Sequence, residues 1–122
     1  MTKQKFLLID VINKKVEAIE AGELEEFYKE LNCDYIENIP LQIGGKLFYA
    51  VADEEGNLKK NPIPSVIDST GKVLLVGNVM LTNYGNNDGE FLSIKDEDIA
   101  FLKRWIRISP VTGAPMLIVY EQ

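Results

Sequence analysis

Pro62 and Pro64, one residue apart near the centre of a 122-residue chain, forbid a helix through their neighbourhood. Each lacks an amide hydrogen and drives the residue before it to extended geometry. They lie within a stretch from Asp53 to Asn78 that opens on the turn-forming run Asp53-Glu-Glu-Gly-Asn57, passes through Leu58-Lys-Lys-Asn-Pro-Ile-Pro-Ser65 and ends on the apolar run Val73-Leu-Leu-Val-Gly-Asn78. The expectation is a shaped loop crossing the middle of the domain, held between strand-like runs and able to present backbone donors and small polar side chains to a ligand.

On either side the periodicities are those of short strands and two helices. Lys5 to Asp10 and Lys15 to Ala21 read as strands joined by Ile12-Asn-Lys-Lys15. Gly22 then opens a helix in which Leu24, Phe27, Tyr28 and Leu31 recur at i, i+3, i+4 and i+7. Its acidic start, Glu23, Glu25 and Glu26, suits the positive end of the helix dipole. Tyr35 to Ile43 and Lys46 to Ala52 make a hairpin around Gly44-Gly45, because two glycines permit the positive φ of a tight primed turn. Gly71 to Leu81 reads as a buried strand with a bulge at Gly77.

Asn83 to Glu90 reads as a turn. Ser93-Ile-Lys-Asp96 resembles a capping box opening a second helix to about Arg107, with Ile99, Leu102 and Ile106 facing the core. Met116 to Tyr120 supplies a last strand. The predicted architecture is one α+β domain, a small mostly antiparallel β-sheet with two amphipathic helices.

Composition narrows the chemistry. With 46% hydrophobic and 26% charged residues, the chain is able to bury a core without staples. The single cysteine, Cys33, forms no internal disulfide and no basic, apolar leader opens the chain, so a soluble cytoplasmic protein is expected. No apolar run approaches the roughly 18 residues of a membrane span. A net charge of -6 disfavours binding to polymeric nucleic acid, which rests on many cation–phosphate contacts. A small nucleotide needs only two or three cations. Histidine is absent, which removes the commonest acid–base group near neutral pH and the commonest transition-metal ligand. Neither a catalytic residue nor a metal site is assigned, and no cofactor is expected.

Two constellations carry binding chemistry. Arg104 and Arg107 are the only arginines in the chain and flank Trp105; guanidinium matches phosphate oxygens, and indole offers a stacking face. The competing reading is a helix C-terminus whose dipole prefers cations. The second constellation runs from Gly77 to Tyr84: Asn78 and Asn83 both donate and accept, as reading a base or ribose edge requires, and Met80 adapts to an aromatic ring. Its competing reading is a core strand leading to a turn. Gly44-Gly45-Lys46 lacks the spacing of a phosphate loop and reads as the hairpin turn. The carboxylate pairs Glu25-Glu26, Glu54-Glu55 and Asp96/Asp98 read as solvated faces.

The ordered blocks Leu24-Glu-Glu-Phe-Tyr-Lys-Glu-Leu-Asn-Cys33, Asp53-Glu-Glu-Gly-Asn-Leu58, Asn61-Pro-Ile-Pro64, Val76-Gly-Asn78, Gly89-Glu-Phe-Leu-Ser93 and Asp96-Glu-Asp-Ile99 resemble a family of phage and plasmid proteins. Its best understood members are the Thoeris anti-defence nucleotide sponges. The resemblance implies a protein that holds, without cleaving it, the cyclic ADP-ribose isomer made by a TIR-domain defence protein, and so blocks the NADase effector. It also implies pockets at a subunit interface, dimers or dimer-built hexamers, and in some members separate sites for cyclic trinucleotides. Carried onto this chain, it places Met80 and its neighbours on the ligand and Arg107 on phosphate; Met80 stands where relatives would carry an aromatic. Asn78, Asn83, Arg104 and Trp105 join them on chemistry alone. Two other readings stay open: an acidic inhibitor that binds a defence protein directly, and a hydrolase of the signal using carboxylates such as Asp88 or Glu90.

Overall fold

A computed structural model describes residues 4–22, 24–31, 33, 35–54, 62–87 and 90–119. The strands and helices run in the order β1 (Gln4–Asp10), β2 (Lys15–Ala21), α1 (Leu24–Leu31), β3 (Ile36–Ile43), β4 (Lys46–Asp53), β5 (Pro64–Asp68), β6 (Val73–Val76), β7 (Val79–Asn87), β8 (Glu90–Leu92), α2 (Asp96–Lys103), β9 (Ile106–Ile108) and β10 (Pro115–Val119). They form two sheets. The first has the order β2-β1-β7-β4-β3, with β8 also paired to β7; the second has the order β6-β5-β10-β9. Every pairing is antiparallel except β5 with β10. The α+β expectation holds.

The central strands of the first sheet are buried on both faces, and the period of two sorts their side chains. Leu7 and Ile9 of β1, Phe48, Ala50 and Ala52 of β4, and Val79 and Leu81 of β7 pack with Val66, Leu75 and Leu117 of the second sheet and Leu102 of α2. Their alternates Phe6, Leu8, Val51 and Met80 pack with Ala21, Phe27, Leu31 and Cys33 on the α1 side. Unbroken apolar runs such as Phe6-Leu-Leu-Ile9 follow from that double burial.

Four local readings need correction. The segment between Asp53 and Asn78 is not one loop: β5 begins at Pro64, a first-strand position that tolerates a missing N–H, while 55–61 lies outside the described residues. Gly71 to Leu81 is not one strand. It breaks into β6 of the second sheet and β7 of the first, and Gly77, at φ +79°, makes the crossing. The stretch from Asn83 is not simply a turn, since β7 continues to Asn87 and pairs with β8; Asp88 and Gly89 lie outside the described residues.

Lastly, α2 stops at Lys103. Arg104 and Trp105 donate to Phe101 and Leu102 carbonyls, three residues back, which tightens the final turn. Trp105 then accepts from the Ile118 N–H, and β-branched Ile106 and Ile108 pair with Leu117 and Pro115. Strand pairing overrides a helical spacing that Ile106 also satisfied. Ser93 does not cap α2: its hydroxyl accepts from the Lys5 N–H at 3.0 Å and donates to Gln4 Oε1 at 2.8 Å, tying β1 to the linker before the helix.

The β3–β4 hairpin forms as read from Gly44-Gly45, with Ile43 opposite Lys46. Its tip leans on α2. A Cβ on Gly44, at φ +58°, would lie 2.8 Å from both Phe101 and Trp105, whereas Gly45, at φ +83°, has nothing within 4 Å. Gly44→Ala should therefore combine backbone strain with overpacking and lower stability by about 2–4 kcal/mol, against about 1–2 kcal/mol for Gly45→Ala. Urea unfolding of the two variants checks the difference; equal losses would mean that the aromatic pair yields freely.

The β1–β2 turn is held by Asp10, whose carboxylate accepts from the Ile12 and Asn13 N–H groups and the Asn13 amide. Burial pushes this carboxyl up, but the hydrogen bonds from Asn13, Asn78 and Ile12 outweigh it and hold it below the usual carboxylate range. A depressed folded-state pKa gives stability that is complete above the unfolded-state value and is lost as pH falls through the folded one. The stability gap between wild type and Asp10→Asn should be constant at neutral pH and shrink below about pH 4. Denaturation midpoints across that range measure it.

Candidate functional site

Six residues carry the sequence-based site, and the fold separates them. Asn78 is 4% exposed. Its Oδ1 accepts from the Val11 N–H at 2.9 Å and its Nδ2 donates to the Glu30 carbonyl at 3.0 Å, so it closes the end of β1 and satisfies a carbonyl in the last turn of α1. Met80 is fully buried on the α1 side, among Phe6, Leu8, Phe27 and Leu31. For both, the core reading accounts for the side chain: neither presents surface to a ligand in this chain.

Arg104 and Arg107 stay exposed, but they are not one turn apart on a helix. Arg107 curls back, with Nη1 donating to the Arg104 and Ile106 carbonyls at 2.8 and 2.9 Å. It thereby covers carbonyls that the end of α2 and the start of β9 would otherwise leave to water. Its remaining donors are still available to an anion. Trp105 is half-buried beside Phe101, ring centroids 6.2 Å apart, and Phe101 in turn stacks on Phe48 at 6.3 Å. The indole thus supports the hairpin tip at Gly44.

Asn83 lines a cleft formed by described residues. That cleft, of about 490 Å³, is walled by Lys46, Leu47, Asn83, Ser93, Lys95, Glu97 and Asp98. β4 contributes its first residues, β7 its middle, and α2 its N-terminal turn. Asn83 Nδ2 donates to the Ser93 carbonyl at 3.1 Å, which pins the linker to β7.

At the cleft's edge Asp98 is only 3% exposed and forms an ion pair with Lys46, whose side chain is half exposed. The Lys46 ammonium also lies 5.7 Å from the Phe48 ring centre. A carboxylate taken from water needs such a partner. A second pair, Lys5 with Asp96, fastens β1 to the start of α2. There the Lys5 hydrogen bond, then its charge, holds the Asp96 carboxyl below the usual range.

The solvated reading of the Asp96/Asp98 pair therefore holds for Asp96, which is exposed, and fails for Asp98. A signal was present in the sequence. Asp98 stands four residues before Leu102 on the stripe that faces the core, and an acid there requires a cation within reach. Lys46 follows the two turn glycines and is the cation that the hairpin delivers. Among the described residues no group of three or more metal-binding side chains comes together, and no helix is long and apolar enough to cross a membrane. Of the hydrolase candidates, Asp88 lies outside the described residues, as does the side chain of Glu90.

The chain belongs to the family defined by DUF3846, a domain of unknown function, whose model matches residues 3–107. The match ends within β9, so β10, which supplies the parallel pairing to β5, lies beyond it. No curated protein and no solved structure matches the chain.

The hydrogen bonds of Asn78 to Val11 and Glu30 set a measurable cost. Asn78→Ala leaves the Val11 N–H and the Glu30 carbonyl without their partner and should destabilise the fold by about 2–4 kcal/mol. Chemical denaturation checks it, and a loss below about 0.5 kcal/mol would remove Asn78 from its structural role.

Proposed function

We propose that this protein is a phage anti-defence sponge: it binds a TIR-derived cyclic ADP-ribose isomer in the host cytoplasm, holds it intact and so starves the Thoeris NADase effector of its activator. The observation that carries the reading is the cleft of about 490 Å³, which brings together two lysines, two carboxylates, Glu97 and Asp98, and the neutral polar residues Asn83 and Ser93. Its volume is in the range that encloses ligands of this size. Lys46 and Lys95 supply charge for phosphate, and Leu47 supplies an apolar wall. The resemblance in the ordered sequence blocks points to the same ligand class, and to a homo-oligomer built from dimers.

The energetics allow it. Roughly 35 non-hydrogen atoms at about 0.3 kcal/mol each give about 10 kcal/mol, a dissociation constant of roughly tens of nanomolar. A sponge needs that affinity and stoichiometric excess, but no lowered reaction barrier. Asp98, the buried carboxylate of the cleft, is already engaged by Lys46, which suits holding better than hydrolysis. Arg104 and Arg107 remain a further exposed cationic surface for phosphate, outside the residues that wall the cleft.

The test is retention. Purified protein mixed with the TIR product should deplete it from solution, and heat denaturation should return the same molecule, seen by chromatography and mass spectrometry. Recovery of a linear or hydrolysed product would make the protein an enzyme, and no depletion would remove the proposal.

A further inference from the structure

Lys46 is placed differently from Lys95, the other cation of the cleft. Its ammonium has three donors; Asp98 takes one, and the Phe48 ring lies against it, while half of the side chain remains exposed on the cleft wall. A lysine held by a buried carboxylate and a ring has already lost much of its rotational freedom. An anion that binds it therefore gains the charge-assisted bond at a reduced ordering cost.

The cleft as a whole is not an anion trap. Lys46 and Lys95 face Glu97 and Asp98, and the four formal charges cancel. A ligand that is only an anion meets the repulsion of Glu97 along with the attraction of the lysines. A ligand that also offers hydroxyl hydrogens turns Glu97 into an acceptor, and a ribose diol beside a phosphate is that combination.

Resting on the sequestration reading above, we infer that this cleft recognises a ribose phosphate, with Lys46 as the phosphate anchor and Glu97 accepting from the ribose hydroxyls. Asp98 is the positioning residue: it touches Lys46 and not the ligand. The exposed Lys95, at the N-cap of α2, adds the second cation. The site selects against inorganic phosphate and in favour of a phosphorylated ribose.

Calorimetry with the TIR-derived cyclic ADP-ribose isomer, ADP-ribose and inorganic pyrophosphate, each at low and high salt, tests the assignment. The double variant Lys46→Gln/Asp98→Asn removes both charges yet keeps a side-chain hydrogen bond, and a melting curve confirms that it folds. It should bind the cyclic isomer at least about tenfold more weakly than wild type, with a flatter salt dependence. Lys46→Arg should recover most of the affinity. Glu97→Gln should weaken both ribose ligands severalfold and leave pyrophosphate no weaker.

Wild-type affinity and salt dependence in the double variant would overturn the anchor and leave sequestration standing at another surface. Binding of ADP-ribose through Lys46 with no binding of the cyclic ligand would keep the anchor and remove the proposed signal. Wild-type protein that binds none of the three probes overturns both. If the double variant melts already unfolded, Glu97→Gln decides, and unchanged affinity for the two ribose ligands defeats the assignment.

Discussion

Burial of both faces of β1, β4 and β7 governs everything else in this fold. A sheet exposed on one side needs one covering layer; this one needs two, and the sequence supplies them from different directions. The helix α1 lays Phe27 and Leu31 on Phe6, Leu8, Val51 and Met80, while the second sheet and α2 cover Leu7, Ile9, Phe48 and Leu81. Each large apolar side chain sealed in this way is worth about 1.5–3 kcal/mol. A polar group between the layers must then find its partners locally, and Asn78 does so where the chain passes from one sheet to the other. The crossing therefore needs both residues of Gly77-Asn78: a positive φ to turn, and an amide to satisfy the backbone of β1 and α1.

The Lys46–Asp98 pair lies at the other end of the same logic. Replacing such a pair by apolar residues is often neutral or stabilising, whereas removing one partner alone costs about 3–5 kcal/mol. Stability is thus a weak reason for its presence. What the pair does achieve is location. It joins the hairpin tip to the start of α2, across a gap that Gly44 keeps narrow enough for Phe101 and Trp105 to pack against the turn.

Much of this was legible in the sequence because its signals were local. The β1–β2 and β3–β4 hairpins carried their own turn residues, α1 carried a complete stripe, and Met116 to Tyr120 carried a short apolar run. The features that escaped are those in which a distant segment decides. β9 is a strand because β10 is there to pair with it, although Ile99, Leu102 and Ile106 keep a helical spacing. β6 and β7 are separate strands because they belong to different sheets, which no property of Val73 to Leu81 alone reveals. The same reason divides the candidate site: Asn78 and Met80 have the chemistry of ligand contacts, but double-sided burial consumes both, while Lys46, Glu97 and Asp98 gained a shared cleft only once the hairpin met the helix.

A sponge and an enzyme ask different things of a cleft. An enzyme gains from preorganised groups that bind the transition state better than the ground state. A sponge gains from fixed groups because they lower the ordering cost of holding the ground state. Lys46 is committed to Asp98, Asn83 to the Ser93 carbonyl, and the Ser93 hydroxyl to both Lys5 and Gln4. Hydrogen bonding within the wall restrains the side chains that make it. Under the sequestration proposal, a wall so cross-linked is what holding a ligand in one pose calls for.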